Sequence, residues 1–182
     1  MKTKYVIHGG FISGQNKDDN FYKEILSNVP YETKILLVYF AKEADRVAKN
    51  REEDIQEFSK NSGGKVLKFE TADEISFLEQ VNKSDVIYLH GGHSGLLLEA
   101  LKKYPNLKAA FKGKIIAGDS AGANVLAEAF YSQKIGVAEG FGLLPFKLIC
   151  HFKEENKDKL THIKPDLETI FLPEYKTKVM NI

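Results

Sequence analysis

Short apolar runs alternate with longer stretches whose apolar residues recur every three or four positions, and the alternation holds from Tyr5 to Ala129. Tyr5 to His8 is apolar and stops at Gly9-Gly10, the pattern of a strand ending in a turn. Ser13 to Asn20 is polar and rich in turn formers. Asp18 or Asp19 then caps an expected helix that carries Phe21, Tyr22, Ile25, Leu26 and Val29 on one side and ends at Pro30. Lys34 to Phe40 is almost wholly apolar, as befits a strand covered on both faces of a parallel sheet. Glu43 to Lys60 is charged, with Val47, Ile55 and Phe58 spaced along it, and predicts a solvated helix closed by Gly63-Gly64. Lys65 to Phe69 is the next strand. Ala72 to Val81 follows as a short helix with Ile75, Leu78 and Val81 on one stripe. Asp85 to Leu89 is a fourth strand, Leu96 to Tyr104 a helix ahead of Pro105, and Leu107 to Phe111 a further helical turn. The run from Lys114 to Ala117 then enters a glycine-bracketed turn, after which a helical pattern runs through Val125, Leu126 and Ala129.

Strands alternating with helices predict an α/β protein with a doubly wound, mostly parallel sheet and helices on both faces. The chain has 182 residues and a formal net charge of +1. That length suits one α/β domain over residues 1–182, and no repeat, low-complexity tract or linker interrupts it. Near-neutral charge without a basic tract argues against nucleic acid as a partner. The lone cysteine, Cys150, cannot form an internal disulfide, which fits a reducing compartment. Met1 to Lys4 leads into an apolar run too short for a signal-peptide core or a membrane span. A cytoplasmic protein without membrane partners is the expectation.

The candidate chemistry lies in Gly118-Asp119-Ser120-Ala121-Gly122. A serine between two glycines, after a strand and before a helix, fits a nucleophile elbow, in which a tight turn lifts the hydroxyl above the sheet edge. The same turn aims the N–H of Ala121 into the space where an oxyanion would form. Gly91-Gly92 ends the preceding strand at the same carboxyl edge, so Gly92 (or Gly91) is a second donor. A base must come from the five histidines His8, His90, His93, His151 and His162. His8 and His90 close strands at that edge. His93 starts a helix, where a cation is disfavoured. His151 follows the apolar run Leu148-Ile149-Cys150 and is the best placed of the five by position. Cys150 lies inside that run and outside any elbow, so it reads as a buried small hydrophobe rather than a nucleophile. Asp119 reads as a turn or surface residue. No group of His, Cys and carboxylates has metal-ligand spacing.

Gly118 to Ala123, the turn at Gly91-Gly92, and the run from Gly140 to Phe146 followed by His151-Phe152 together resemble the dipeptidase E/cyanophycinase family of serine peptidases. The resemblance covers about the first five-sixths of the chain. It implies a class I glutamine amidotransferase-like α/β fold without cofactor. Ser120 would be the nucleophile, His151 the base, and Gly92 and Ala121 the oxyanion hole. The implied substrate is a small peptide, the best-known family members removing an N-terminal aspartate from dipeptides.

The chain departs from the family pattern in several places. Cys150 stands where the family often has proline, and His93 where it often has asparagine. The third catalytic group has no clear match. Glu139, the only carboxylate between Phe130 and His151, is the choice, with Glu154, Glu155 and Asp158 as rivals on a charged, solvated stretch. After a strand at Thr169 to Pro173 the sequence stops at Ile182, whereas relatives continue with further strands. A fold shortened at its C-terminus would expose a strand edge and favour a homodimer. Two other readings stand beside the peptidase: an inactive amidotransferase-like binding or regulatory domain, and, ranked last, a phosphate- or nucleotide-binding domain built on the glycine turns.

Overall fold

The computed structural model describes residues 2–12 and 14–182; Met1 and Ser13, which enter the readings of the N-terminus and of the first polar stretch, lie outside them. In chain order the elements are β1 (Lys4–His8), α1 (Asp19–Leu26), β2 (Glu32–Val38), α2 (Ala44–Lys60), β3 (Val66–Thr71), α3 (Phe77–Lys83), β4 (Val86–Leu89), α4 (Ser94–Lys102), α5 (Leu107–Phe111) and β5 (Ile115–Asp119). They continue with α6 (Ala121–Leu126), β6 (Ala127–Ser132), β7 (Gly136–Glu139), β8 (Leu144–Cys150), a 3-10 helix (Glu154–Leu160), β9 (Thr169–Leu172) and β10 (Thr177–Asn181).

Six strands form the main sheet in the order β10-β1-β5-β4-β2-β3, all parallel except β10. Alternation along β2 explains why it reads as continuously apolar. Ile35 and Leu37 face a core with Phe21, Tyr22 and Ile25 of α1 and Phe58 of α2, while Leu36 and Val38 face a second core with Phe77, Val81, Leu97 and Phe111 from α3 to α5. Each fully buried side chain of this size contributes about 1.5–3 kcal/mol. Asp18 caps α1, its side chain accepting from Asn20 N.

Three readings change. Ile75 is 97% exposed instead of lying on a helical stripe. Asp73 Oδ1 accepts from the amides of Ile75 (2.9 Å) and Ser76 (3.1 Å), closing a side-chain-capped turn in place of the first helical turn. The helix after the elbow ends at Leu126, and Ala127 to Ser132 becomes β6 of a second sheet, ordered β7-β6-β8-β9. That sheet packs Phe130, Leu144 and Leu148 against the core beside α6. The tail does not leave β1 open: β10 pairs antiparallel with it from Lys4↔Asn181 to His8↔Thr177.

Candidate active site

The last residue of β5 is Asp119 and the first of α6 is Ala121, so Ser120 alone turns the chain. It does so at φ +48° and ψ −100°, a backbone region that costs a non-glycine residue on the order of 1–3 kcal/mol. The flanking glycines are a packing requirement of this turn. A Cβ on Gly118 would lie 2.6 Å from the carbonyl carbon of Gly122, and one on Gly122 would lie 2.0 Å from the carbonyl oxygen of Leu89. The turn is pinned at both ends, because Ser120 N donates to His8 O (3.0 Å) and Ser120 O accepts from Asn124 N (2.9 Å).

His151 is the first residue after β8, at φ +49°. Its N–H donates to Gly9 O at 2.8 Å. Its ring lies where a side chain on Gly10 would be, since a Cβ there would sit 2.1 Å from His151 Cε1. Held this way, His151 Nε2 is 2.9 Å from Ser120 Oγ and His151 Nδ1 is 3.2 Å from Glu174 Oε1. With the proton on Nδ1 donated to the carboxylate, the Nε2 lone pair faces the hydroxyl. Burial opposes ionisation of Glu174, but its own backbone amide, the His151 hydrogen bond and the charges of His151 and Lys153 outweigh it. They hold the carboxyl below its ordinary range.

Glu174, not Glu139, is therefore the carboxylate at His151. Glu139 is exposed on β7, the outer strand of the second sheet, opposite Ala129, and makes no hydrogen bond to the imidazole. The sequence holds the signal for Glu174 only through pairing. β8 and β9 run parallel with Cys150 opposite Leu172, so the loops that leave them emerge at one edge, and Tyr175 N ties the second to Gly10 O at 3.1 Å.

Gly92 follows β4 at the edge that carries Ser120. A Cβ there would lie 2.4 Å from Ala41 O, and one on Gly91 would lie 2.6 Å from Asp119 Oδ2. Among the described residues the amides of Gly92 and Ala121 donate to no protein carbonyl. Three of the other four histidines are engaged elsewhere and the fourth is exposed. His90 Nε2 is 3.4 Å from Asp54 Oδ2 and its Nδ1 is 2.7 Å from Gly91 O. Burial, only partly countered by Asp54 and Asp119, lowers the His90 pKa. His93 caps α4 with Nδ1 accepting from Leu96 N (3.3 Å), and His162 is exposed. His8 Nδ1 is 3.2 Å from Asp119 Oδ1. Asp119 is thus a buried, paired group and not the turn or surface residue its position suggests. Burial opposes its charge, yet the His8 hydrogen bond and the nearby His8, His90 and Lys17 charges bring its pKa down. Cys150 is buried, and burial with the nearby Asp119 charge pushes its thiol pKa well up.

These groups open into a cleft of about 960 Å³ whose walls include Gly92, Ser120, His151, Glu174, Lys42 and Lys134. Among the described residues no helix is long and apolar enough to cross a membrane.

The family model for peptidase family S51 matches residues 6–174 of the chain. No curated protein sequence matches it. A crystal structure of a protein from Listeria monocytogenes EGD-e, assigned to peptidase E, superposes with a TM-score of 0.73 at 17% identity. The match covers 100% of this chain and 98% of that one. At that identity the likeness speaks to the fold, and the fold agrees: mostly parallel sheets flanked by helices.

Proposed function

Because this chain belongs to peptidase family S51, a family of serine peptidases, we propose that Ser120, His151 and Glu174 are its catalytic triad. The observation that carries the reading is the unbroken run of contacts, 2.9 Å from Ser120 Oγ to His151 Nε2 and 3.2 Å from His151 Nδ1 to Glu174. His151 Nε2 takes the hydroxyl proton as Ser120 Oγ attacks the scissile carbonyl. Glu174 holds the imidazole in the Nδ1–H tautomer and stabilises the imidazolium that forms. The amides of Ala121 and Gly92 receive the oxyanion. His151 then protonates the leaving amine, and water repeats the sequence on the acyl-enzyme. No step calls for a cofactor.

Ser120→Ala tests this directly. Hydrolysis of small peptides should fall by roughly 10⁴–10⁶-fold, as when a serine-protease triad loses its nucleophile. The melting temperature should not drop. Undiminished hydrolysis would remove Ser120 from the chemistry.

The substrates we propose are short peptides with an N-terminal aspartate. Lys42 and Lys134 reach the cleft and form no ion pair among the described residues, whereas Lys17 is held by Asp54 at 2.7 Å. Half-buried Lys42, its pKa lowered by burial despite the charges of Asp119 and Asp54, is suited to a substrate carboxylate. A hydrogen bond to a charged group is worth about 1.5–3 kcal/mol, so Lys42→Met should cost Asp-Xaa peptides at least about tenfold in kcat/KM relative to Ala-Xaa peptides. Equal losses on both would remove Lys42 as the determinant. A lone buried cysteine supports a reducing, cytoplasmic setting. The outer strands β3 and β10 are the edges through which a homodimer would pair, and light scattering reads that state.

A further inference from the structure

His8, Gly9 and Gly10 at the end of β1 carry the whole triad on their backbone. His8 O accepts Ser120 N (3.0 Å), Gly9 O accepts His151 N (2.8 Å), and Gly10 O accepts Tyr175 N (3.1 Å), the residue after Glu174. Two of the three are glycines, and Gly10 sits at φ +112°. Nothing intrinsic to a Gly-Gly turn holds it in one conformation, and added side chains are barred because His151 and Pro173 occupy the space. The turn must be fixed from outside.

The side chain of His8 packs at the root of this turn. It is fully buried, stacked on Phe11 with ring centroids 4.2 Å apart and packed on Phe21 at 4.8 Å. Its Nδ1 lies 3.2 Å from Asp119 Oδ1 and 3.1 Å from Gly10 N. With the proton on Nδ1, the imidazole donates to the carboxylate and cannot also accept from the Gly10 N–H, so in this tautomer the bond to Asp119 is the one that Nδ1 makes. The bond joins the residue before the nucleophile to the residue before the turn that seats the base, across the register pair His8↔Asp119. The reaction itself uses neither side chain.

We propose that His8 and Asp119 form a positioning pair that sets the distance from Ser120 Oγ to His151 Nε2. This rests on the triad reading above. A displacement of about 1 Å at a reacting pair can cost on the order of 10²-fold in rate. The contrast that tests it is between His8→Phe, which keeps the aromatic stack but removes the donor, and His8→Asn, whose amide can donate from the position of Nδ1.

In His8→Phe, kcat should fall by about 10- to 100-fold with KM within about twofold, and covalent labelling of Ser120 by a fluorophosphonate should slow by the same factor. His8→Asn should keep kcat within about fivefold of the parent. A folded His8→Phe with parental kcat overturns the proposal. So does a loss carried by KM, or a His8→Asn that falls as far as His8→Phe, since a merely structural role lowers the melting temperature without distinguishing the two. If His8→Phe does not fold, Asp119→Asn (acceptor kept) and Asp119→Leu (acceptor removed) pose the same contrast from the other partner. Parental labelling in Ser120→Ala would instead defeat the triad reading, and the proposal that rests on it falls with it.

Discussion

Ser120, His151 and Glu174 come from three different segments, and each was legible to a different degree. Ser120 carried a local signature, because the turn needs glycine at 118 and 122 for reasons of contact distance alone. His151 was legible as a strand-end residue. Glu174 was not, because its relation to His151 passes through the pairing of β8 with β9, and no local pattern records which strands pair. The two carboxylates make a direct test. Glu174→Gln presents the imidazole with an amide that no longer selects the Nδ1–H tautomer, and should lower kcat by roughly 10²–10⁴-fold. Glu139→Gln, on an exposed outer strand, should stay within about twofold. Steady-state kinetics on one peptide decides between them, and the reverse ranking would contradict the geometry.

At the scale of elements, the glycines are where backbone and site meet. Gly10→Ala would drive a methyl into His151 Cε1, 2.1 Å away. It should displace the ring from Ser120 and cost on the order of 10²-fold in kcat, while the sheet persists. Gly122→Ala meets the backbone of Leu89 at 2.0 Å, where nothing can give way. It should destabilise the protein by at least about 1–3 kcal/mol, the usual cost of overpacking, read by denaturant unfolding. The main-sheet strands were legible because burial on both faces leaves continuous apolar runs such as Lys34 to Phe40. The second sheet was not. β6 follows α6 without a break, and Val125, Leu126 and Ala129 fit a helical period as well as they fit a helix followed by a strand. Ile75 misled for the opposite reason, since the Asp73 side chain outcompetes the helix locally.

For the whole molecule, buried ionisable groups beneath the cleft tie stability to pH. His90 has its pKa lowered from 6.5 by burial. The unfolded chain therefore binds a proton at that residue over a range where the folded chain does not. Stability should fall as pH drops below about 6.5, until His90 protonates in the folded state as well. Asp119 and Glu174 are shifted in the sense typical of paired carboxylates. Their contribution is present above the ordinary carboxylate range and is lost at still lower pH, as each folded pKa is crossed. Urea unfolding at pH 7.5 and about 5.5 should show the loss in the parent protein and a smaller one in His90→Gln. An identical loss in both would mean that His90 is not its source.

The most direct measurement is to treat the protein with a fluorophosphonate and locate the adduct by mass spectrometry. The account predicts a single adduct on the peptide containing Ser120, slowed by several orders of magnitude in His151→Ala. No adduct, or one formed equally well without His151, would contradict it.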